Sequence, residues 1–405
     1  MIKGTLKYCV CFLCILSLTQ CNKSSDHQAT STNTAFELLE SENTGIDFIN
    51  QVEDKEEFNI LTYRNYYNGG GVAIGDINND GLKDVFFTAN MGDNKLYLNK
   101  GNLQFEDITE KAGIKGKNSW TTGVTFADVN ADGYLDIYVC YSGDAQKENK
   151  ENELFINNGN LTFTEKSAEY GLDVQCLTTQ SVFFDYDHDG DLDCFILNQS
   201  HHPLDNIVEI SHRLVYDSLS GDRLYRNDIK TTGRFTDVSK EAGLYQSNLG
   251  YGLGVAVSDF NNDGWEDIYV GNDFHENDYY YINQKNGSFK EEGANHFGHY
   301  SRFSMGNDAA DYNNDGLVDL VTLDMLPEDN KTQKMHSGSE NFNKFQMLFK
   351  QGFYYQYSRN MLQTNNGDGT FSETGQLAGI SNTDWSWSPL LSDFDNDGNK
   401  DLLVT

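Results

Sequence analysis

The 405-residue chain is predicted to be all-β, a β-propeller of four-stranded blades, on three observations. A nine-residue acidic pattern returns six times, each copy lies between two short apolar runs, and the copies are spaced at about the length of one blade. The pattern reads DxNxDGxxD or DxDxDGxxD and begins at Asp76, Asp128, Asp185, Asp259, Asp311 and Asp393, giving steps of 52, 57, 74, 52 and 82 residues. The two long steps carry insertions, residues 198–222 and 324–360, the second with a short helix expected over residues 341–349.

Each pattern joins two strands. Val72-Ala73-Ile74 precedes the first copy and Val85-Phe86-Phe87 follows it; Val124-Thr125-Phe126 and Ile137-Tyr138-Val139 flank the second, and Val255-Ala256-Val257 and Ile268-Tyr269-Val270 the fourth. A third strand ending in Asn comes next, as in Leu96-Tyr97-Leu98-Asn99 and Leu154-Phe155-Ile156-Asn157. After an Asn-Gly turn a fourth follows, such as Phe105 to Thr109 or Phe163 to Glu165. Gly71, Gly123, Gly254 and Gly306 recur five residues before the first Asp, where a crowded central axis favours a residue without a side chain. Six repeats are present, the sixth incomplete.

Residues 1–21 are expected to be a lipoprotein-type signal: Lys3 and Lys7, an apolar stretch from Tyr8 to Leu18 too short to span a bilayer, then Leu18-Thr19-Gln20-Cys21 with Cys21 as the lipidated residue. Gln20 stands where that signal usually has Gly, Ala or Ser, and a plain secretory signal cleaved nearby is the alternative. Residues 22–44, rich in Ser, Thr, Asn and Gln, read as a flexible tether, and residues 45–405 as the propeller. Of seven cysteines, Cys140, Cys176 and Cys194 belong to the fold; buried unpaired thiols are expected over one disulfide plus a free thiol.

Composition narrows the function. Lys and Arg total 29 against 62 Asp and Glu, a formal charge of −33, yet aromatics reach 13%, which a disordered acidic chain would lack. So many carboxylates held together repel unless cations offset them. Seven arginines scattered along the chain offer no basic face for nucleic acid.

The loops have the donor pattern of a calcium site: hard oxygens from side chains at positions one, three, five and nine, a carbonyl at seven, and Gly at six for the sharp turn. The side-chain ligands are Asp76, Asn78, Asp80 and Asp84; Asp128, Asn130, Asp132 and Asp136; Asp185, Asp187, Asp189 and Asp193; Asp259, Asn261, Asp263 and Asp267; Asp311, Asn313, Asp315 and Asp319; and Asp393, Asp395, Asp397 and Asp401. Leu82, Tyr134, Asp191, Trp265, Leu317 and Asn399 supply the carbonyls. About six Ca2+ ions are expected. Magnesium prefers a rigid octahedron with retained water, and zinc prefers His or Cys, which these loops lack apart from His188 at a non-ligand position.

This pattern resembles the FG-GAP or VCBS repeats of integrin α-subunit propellers, and the resemblance implies calcium on one face of a seven-bladed ring. Tyr67 to Asp76 and Asn382 to Ser388 are also similar to envelope proteins of Bacteroidetes-type bacteria, in which further blades and a C-terminal ASPIC/UnbV domain follow. The sequence stops at Asp401-Leu402-Leu403-Val404-Thr405, inside a second strand, so a truncated sequence is expected, with a partner completing the ring as the alternative.

No GxSxG, HExxH or GxxxxGK[ST] motif occurs, and the chain is read as no enzyme. His201, His202 and His212, and His296 with His299, read as surface or turn histidines before a second metal or a catalytic base. Trp120, Tyr251, Arg302, Phe303, Trp385 and Trp387, with Tyr66 and Tyr67 nearby, are expected at the channel mouth opposite the acidic loops, as a ligand site or as packing between blades. The function expected is a calcium-stabilised binding or adhesion scaffold for glycan or protein ligands, at the outer membrane or cell surface, or periplasmic or secreted. Its membrane contact would be the lipid anchor alone. A polysaccharide-active lyase or hydrolase and a structural envelope component are the alternatives.

Overall fold

The computed structural model describes residues 36–117, 120–142, 150–200, 209–336 and 342–405. The signal with Cys21, most of the tether, and His201 and His202 lie outside them, as do residues 201–208 and 337–341 of the insertions.

Five antiparallel sheets of four strands and one of two follow each other along the chain, each with its strands in sequence order. Blade one is Val72–Gly75, Asp84–Phe87, Lys95–Asn99 and Phe105–Asp107. Blade two is Thr121–Ala127, Asp136–Tyr141, Glu153–Asn157 and Phe163–Glu165; blade three is Thr178–Phe184, Asp193–Asn198, Arg223–Asp228 and Arg234–Asp237. Blade four is Gly252–Ser258, Asp267–Asn272, Tyr279–Asn283 and Phe289–Glu291; blade five is Asn307–Ala310, Asp319–Thr322, Met361–Asn365 and Phe371–Glu373. Blade six consists of Pro389–Ser392 and Asp401–Val404. The first strand of each blade touches the first strand of the next, from blade one to blade six, which is the arrangement of a propeller.

Burial explains the order. Each apolar layer lies between two successive sheets: Phe86 and Leu96 with Val124 and Ile137, Tyr138 and Leu154 with Cys194 and Ile196, Phe195 and Leu224 with Ile268 and Val270. Tyr269 and Tyr280 then meet Leu320 and Phe371, and Val321 and Leu362 meet Leu391 and Leu402. Second strands are therefore covered on both faces, which is why Asp136–Tyr141 and Asp267–Asn272 are buried throughout. On the face of blade one turned away from blade two, Val72 and Ile74 are exposed, while Phe48 stacks on Phe87 at 4.9 Å.

The axial glycines behave as their spacing predicts. A Cβ on Gly71 would stand 2.8 Å from the Thr122 carbonyl oxygen, one on Gly254 2.7 Å from that of Met305, and one on Gly306 2.6 Å from that of Trp387. All three contacts are to the next blade's backbone. Cys140, Cys176 and Cys194 are buried and free.

Three features depart from the sequence reading. Residues 45–70 form no strand and run over the end of the blades opposite the acidic loops, where Phe58, Tyr63, Tyr66 and Trp120 pack together. Ser41–Thr44, inside the expected tether, is a helical turn. The second insertion holds two helices, Asn330–His336 and Phe342–Lys350, and returns through a short parallel pairing of Tyr300–Ser301 with Gln356–Tyr357. Among the described residues, no helix is long and apolar enough to cross a membrane.

Candidate metal loops and the central cavity

All six loops share one construction. The position-one Asp accepts from two backbone amides: Asp76 Oδ1 from Asp80 N at 3.1 Å and Oδ2 from Gly81 N at 2.7 Å, with the same pair in the sixth loop from Asp397 N to Asp393 Oδ1 and Gly398 N to Oδ2. Position five closes the turn, as Asp80 Oδ1 does by accepting from Leu82 N at 2.8 Å. Position four is left-handed in every copy, at φ between 56° and 60°, a region Asn tolerates and Ala131 and His188 occupy less readily. The position-six glycines lie at φ between 85° and 91°, which side chains rarely adopt.

In loops one, two, three and five the position-nine Asp is buried and tied on both oxygens, whereas Asp401 is exposed and Asp267 Oδ2 has no hydrogen-bond partner among the described residues. Asp136 Oδ2 accepts from Val129 N at 3.1 Å, and its Oδ1 accepts from the backbone N–H of Asn157, the last residue of the third strand, at 2.8 Å. Asp84, Asp193 and Asp319 repeat both bonds, to Ile77 and Asn99, Tyr186 and Asn227, and Tyr312 and Asn365. Burial first, then the neighbouring loop carboxylates, pushes Asp136 and Asp267 up to about 7 and Asp193 to about 8. Asp76 is held low: burial raises it, but the amides of Gly81 and Asp80 outweigh that.

In the two loops with Asp at position three, the carboxylates converge. Asp185, Asp187 and Asp193 have oxygens within 4.8 Å of one another, as do Asp393, Asp395 and Asp401. Asp187 Oδ1 is buried with no hydrogen-bond partner among the described residues. A converging, all-oxygen donor set with an orphaned carboxylate oxygen fits a hard cation of the calcium type, and its chemistry does not fit zinc. Such an ion would supply the charge that the clustered carboxylates lack.

The loops are also wired to each other. The side chain of Asn157 donates to the Leu135 carbonyl of its own blade and to the Ile77 carbonyl of the preceding one. Asn227 reaches Val129, Asn283 reaches Tyr186, and Asn365 reaches Phe260 in the same way. Asn79 of loop one donates to the Gly133 carbonyl of loop two, and His188 of loop three stacks on Trp265 of loop four at 3.9 Å.

At the opposite end, a cavity of about 290 Å³ opens on the axis, lined by the first strands of blades two to five, by the residues just before those of blades one and six, and by Tyr63, Asn65 and Asn68 of the leading segment. That segment is held by a bond from Asn65 to Gln199, and by Gln199 Nε2, which donates to Tyr63 Oη at 2.9 Å.

The expected aromatic site comes together only in part. Trp120 and Trp387 line the cavity, although Trp120 is only 6% exposed. Tyr251, Arg302, Phe303 and Trp385 do not line it. Tyr251 and Phe303 both pack on Phe274, Arg302 lies over the Phe303 ring, and Trp385 is 67% exposed. Apolar burial wins for Tyr251 and Phe303 because the strand entry turns their rings between blades. Tyr66 is buried under Trp120, and Tyr67 is exposed with its hydroxyl on Asp54. His296 contacts the Gly369 carbonyl while His299 joins Arg359 and Glu373, so the two histidines share no site. The aromatic pattern does not point to Gln180, which also lines the cavity; it stands where four other repeats have the axial glycine, and that break in the repeat is its signal.

Three segments of the chain, residues 76–139, 259–322 and 353–404, match the FG-GAP-like repeat. The chain therefore carries FG-GAP-like repeats. Cartilage acidic protein 1 of Xenopus tropicalis is 28% identical over 210 residues, covering 50% of this chain and 29% of that protein. The Homo sapiens protein of the same name is 27% identical over 208 residues, 50% of this chain and 28% of its own length. The match thus spans less than a third of these relatives. Among solved structures, an Agrocybe aegerita lectin that recognises non-reducing terminal N-acetylglucosamine aligns with a TM-score of 0.44 at 17% identity, over 82% of this chain and 73% of its own. The V. cholerae biofilm matrix protein Bap1 aligns at 0.34 and 14%, over 74% and 38%. Neither likeness bears on a ligand of this FG-GAP-like chain.

Proposed function

We propose that this chain is a calcium-stabilised scaffold outside the cytoplasm that binds glycan or protein ligands at the cell envelope and performs no catalysis. The observation that carries the reading is the division of labour between its two ends. Six acidic loops with the same position-one bonding occupy one end, and the proposal is that each holds a divalent ion and so pins a hairpin. The cavity and the described parts of both insertions occupy the other. Long loops on a rigid scaffold commonly carry recognition. Among the described residues the cavity wall holds no carboxylate, imidazole, thiol or cationic side chain, which favours binding over turnover. The acidic relatives named for cartilage, a tissue rich in extracellular matrix, are consistent with a place outside the cell. Attachment through a lipidated Cys21 is part of the same proposal.

The test is thermal. EDTA should lower the melting temperature sharply and readdition of calcium, but not magnesium, should restore it. Asp80→Ala or Asp132→Ala should reproduce part of the loss. An unchanged melting curve in chelator sinks the calcium reading.

A further inference from the structure

We propose that the central cavity takes one neutral sugar residue of a glycan, with Gln180 as the polar group that selects it. The inference rests on the reading of the chain as a binding scaffold and deepens it.

The first support is charge. Charged residues make up 22% of the chain, so about four of the nineteen that line the cavity should be charged; none is. A phosphate or carboxylate ligand would look for Arg or Lys there, and a cationic one for Asp or Glu. Amides, hydroxyls, bare glycine backbone, Leu253, Val255 and two indoles remain, from Trp120 and Trp387. That mixture suits a ring with apolar faces and a rim of hydroxyl groups, and the volume admits a single sugar residue.

The second support is Gln180 itself. Six equivalent positions stand five residues before the loops: Gly71, Gly123, Gln180, Gly254, Gly306 and Ser388. Blade three alone places a long side chain there, and Gln180 Oε1 fills the space that Gly123 leaves open: a Cβ on Gly123 would overlap it. All six positions line the cavity. No hydrogen bond to protein engages the Gln180 side chain among the described residues, so its amide is available to a ligand. In the same lining, Thr179 Oγ1 and both polar atoms of the Asn307 amide are buried without partners among the described residues, a cost of about 1–3 kcal/mol each that a polar occupant would relieve.

The experiment is saturation-transfer NMR and calorimetry on the calcium-loaded full chain with the methyl glycosides of glucose, galactose, mannose and N-acetylglucosamine, and with methyl glucuronide as the charged probe. At least one neutral glycoside should bind and the glucuronide should bind more weakly. Gln180→Gly restores the residue that four other repeats carry, so it should melt like the parent while weakening the glycoside at least tenfold. Trp387→Ala should weaken it as well. The proposal is overturned if no neutral glycoside binds, if glucuronide binds best, or if Gln180→Gly binds like the parent. In each of those cases the EDTA melting result still decides the scaffold reading separately.

Discussion

The side-chain Nδ2 of Asn157 donates to the backbone carbonyl of Ile77, eighty residues earlier and one blade away, at 2.8 Å. The backbone N–H of Asn157 meanwhile binds Asp136, and that of Ile77 binds Asp84, so one asparagine joins two acidic loops. Asn157→Ala should destabilise the protein by about 1–3 kcal/mol, because the Ile77 carbonyl loses its buried partner. Asn99 has the same place in blade one but reaches only Lys83 of its own blade, so Asn99→Ala should cost less. Urea denaturation of the two variants in calcium compares them directly.

Asp187 crowds a loop that already holds Asp185 and Asp193 within 4.8 Å, and four other loops have Asn at that position. Asp187→Asn should therefore raise the melting temperature in EDTA, since a like charge is removed from a partly buried cluster. It should also weaken calcium binding at that loop, because Asn is a neutral ligand. Calorimetric titration with calcium, alongside melting curves with and without chelator, reads both signs.

Ala131 is held at φ 58°, where an L side chain is strained by roughly 1–2 kcal/mol. Ala131→Gly should stabilise the protein by about 0.5–1 kcal/mol once the extra freedom of the unfolded chain is deducted. Gly133→Ala, at φ 89°, should do the reverse. Equilibrium denaturation of the pair gives the comparison.

Glu373 sits with Arg359 Nη2 at 3.0 Å and His299 beside it. Burial pushes its carboxyl up, but the bonds from His299, the Gly375 amide and Arg359 outweigh burial and hold it at about 2. A depressed carboxylate contributes stability that is fully present above its unfolded value, near 4.5, and is lost as pH falls towards 2. Glu373→Gln should therefore cost stability at pH 7 and flatten the decline between pH 4.5 and 2, as followed by melting temperature against pH.

The sequence by itself determined the repeat and the strand pairs around each acidic loop, because the turn chemistry and strand alternation depend on residues close in the chain, and the spacing of the axial glycines, whose crowding comes from the next blade. Even the inter-blade asparagines showed as a recurrent Asn closing the third strand, though their partners did not. Only the tertiary structure decided which aromatics face the cavity: Trp120 and Trp387 reach it, while Tyr251 and Phe303 turn onto Phe274. It also placed Tyr63, Asn65 and Asn68 against the cavity and joined Asn157 to Ile77. The physical reason is that period and turn chemistry are local, whereas the direction of a side chain at a strand entry depends on how neighbouring blades fill space around a shared axis.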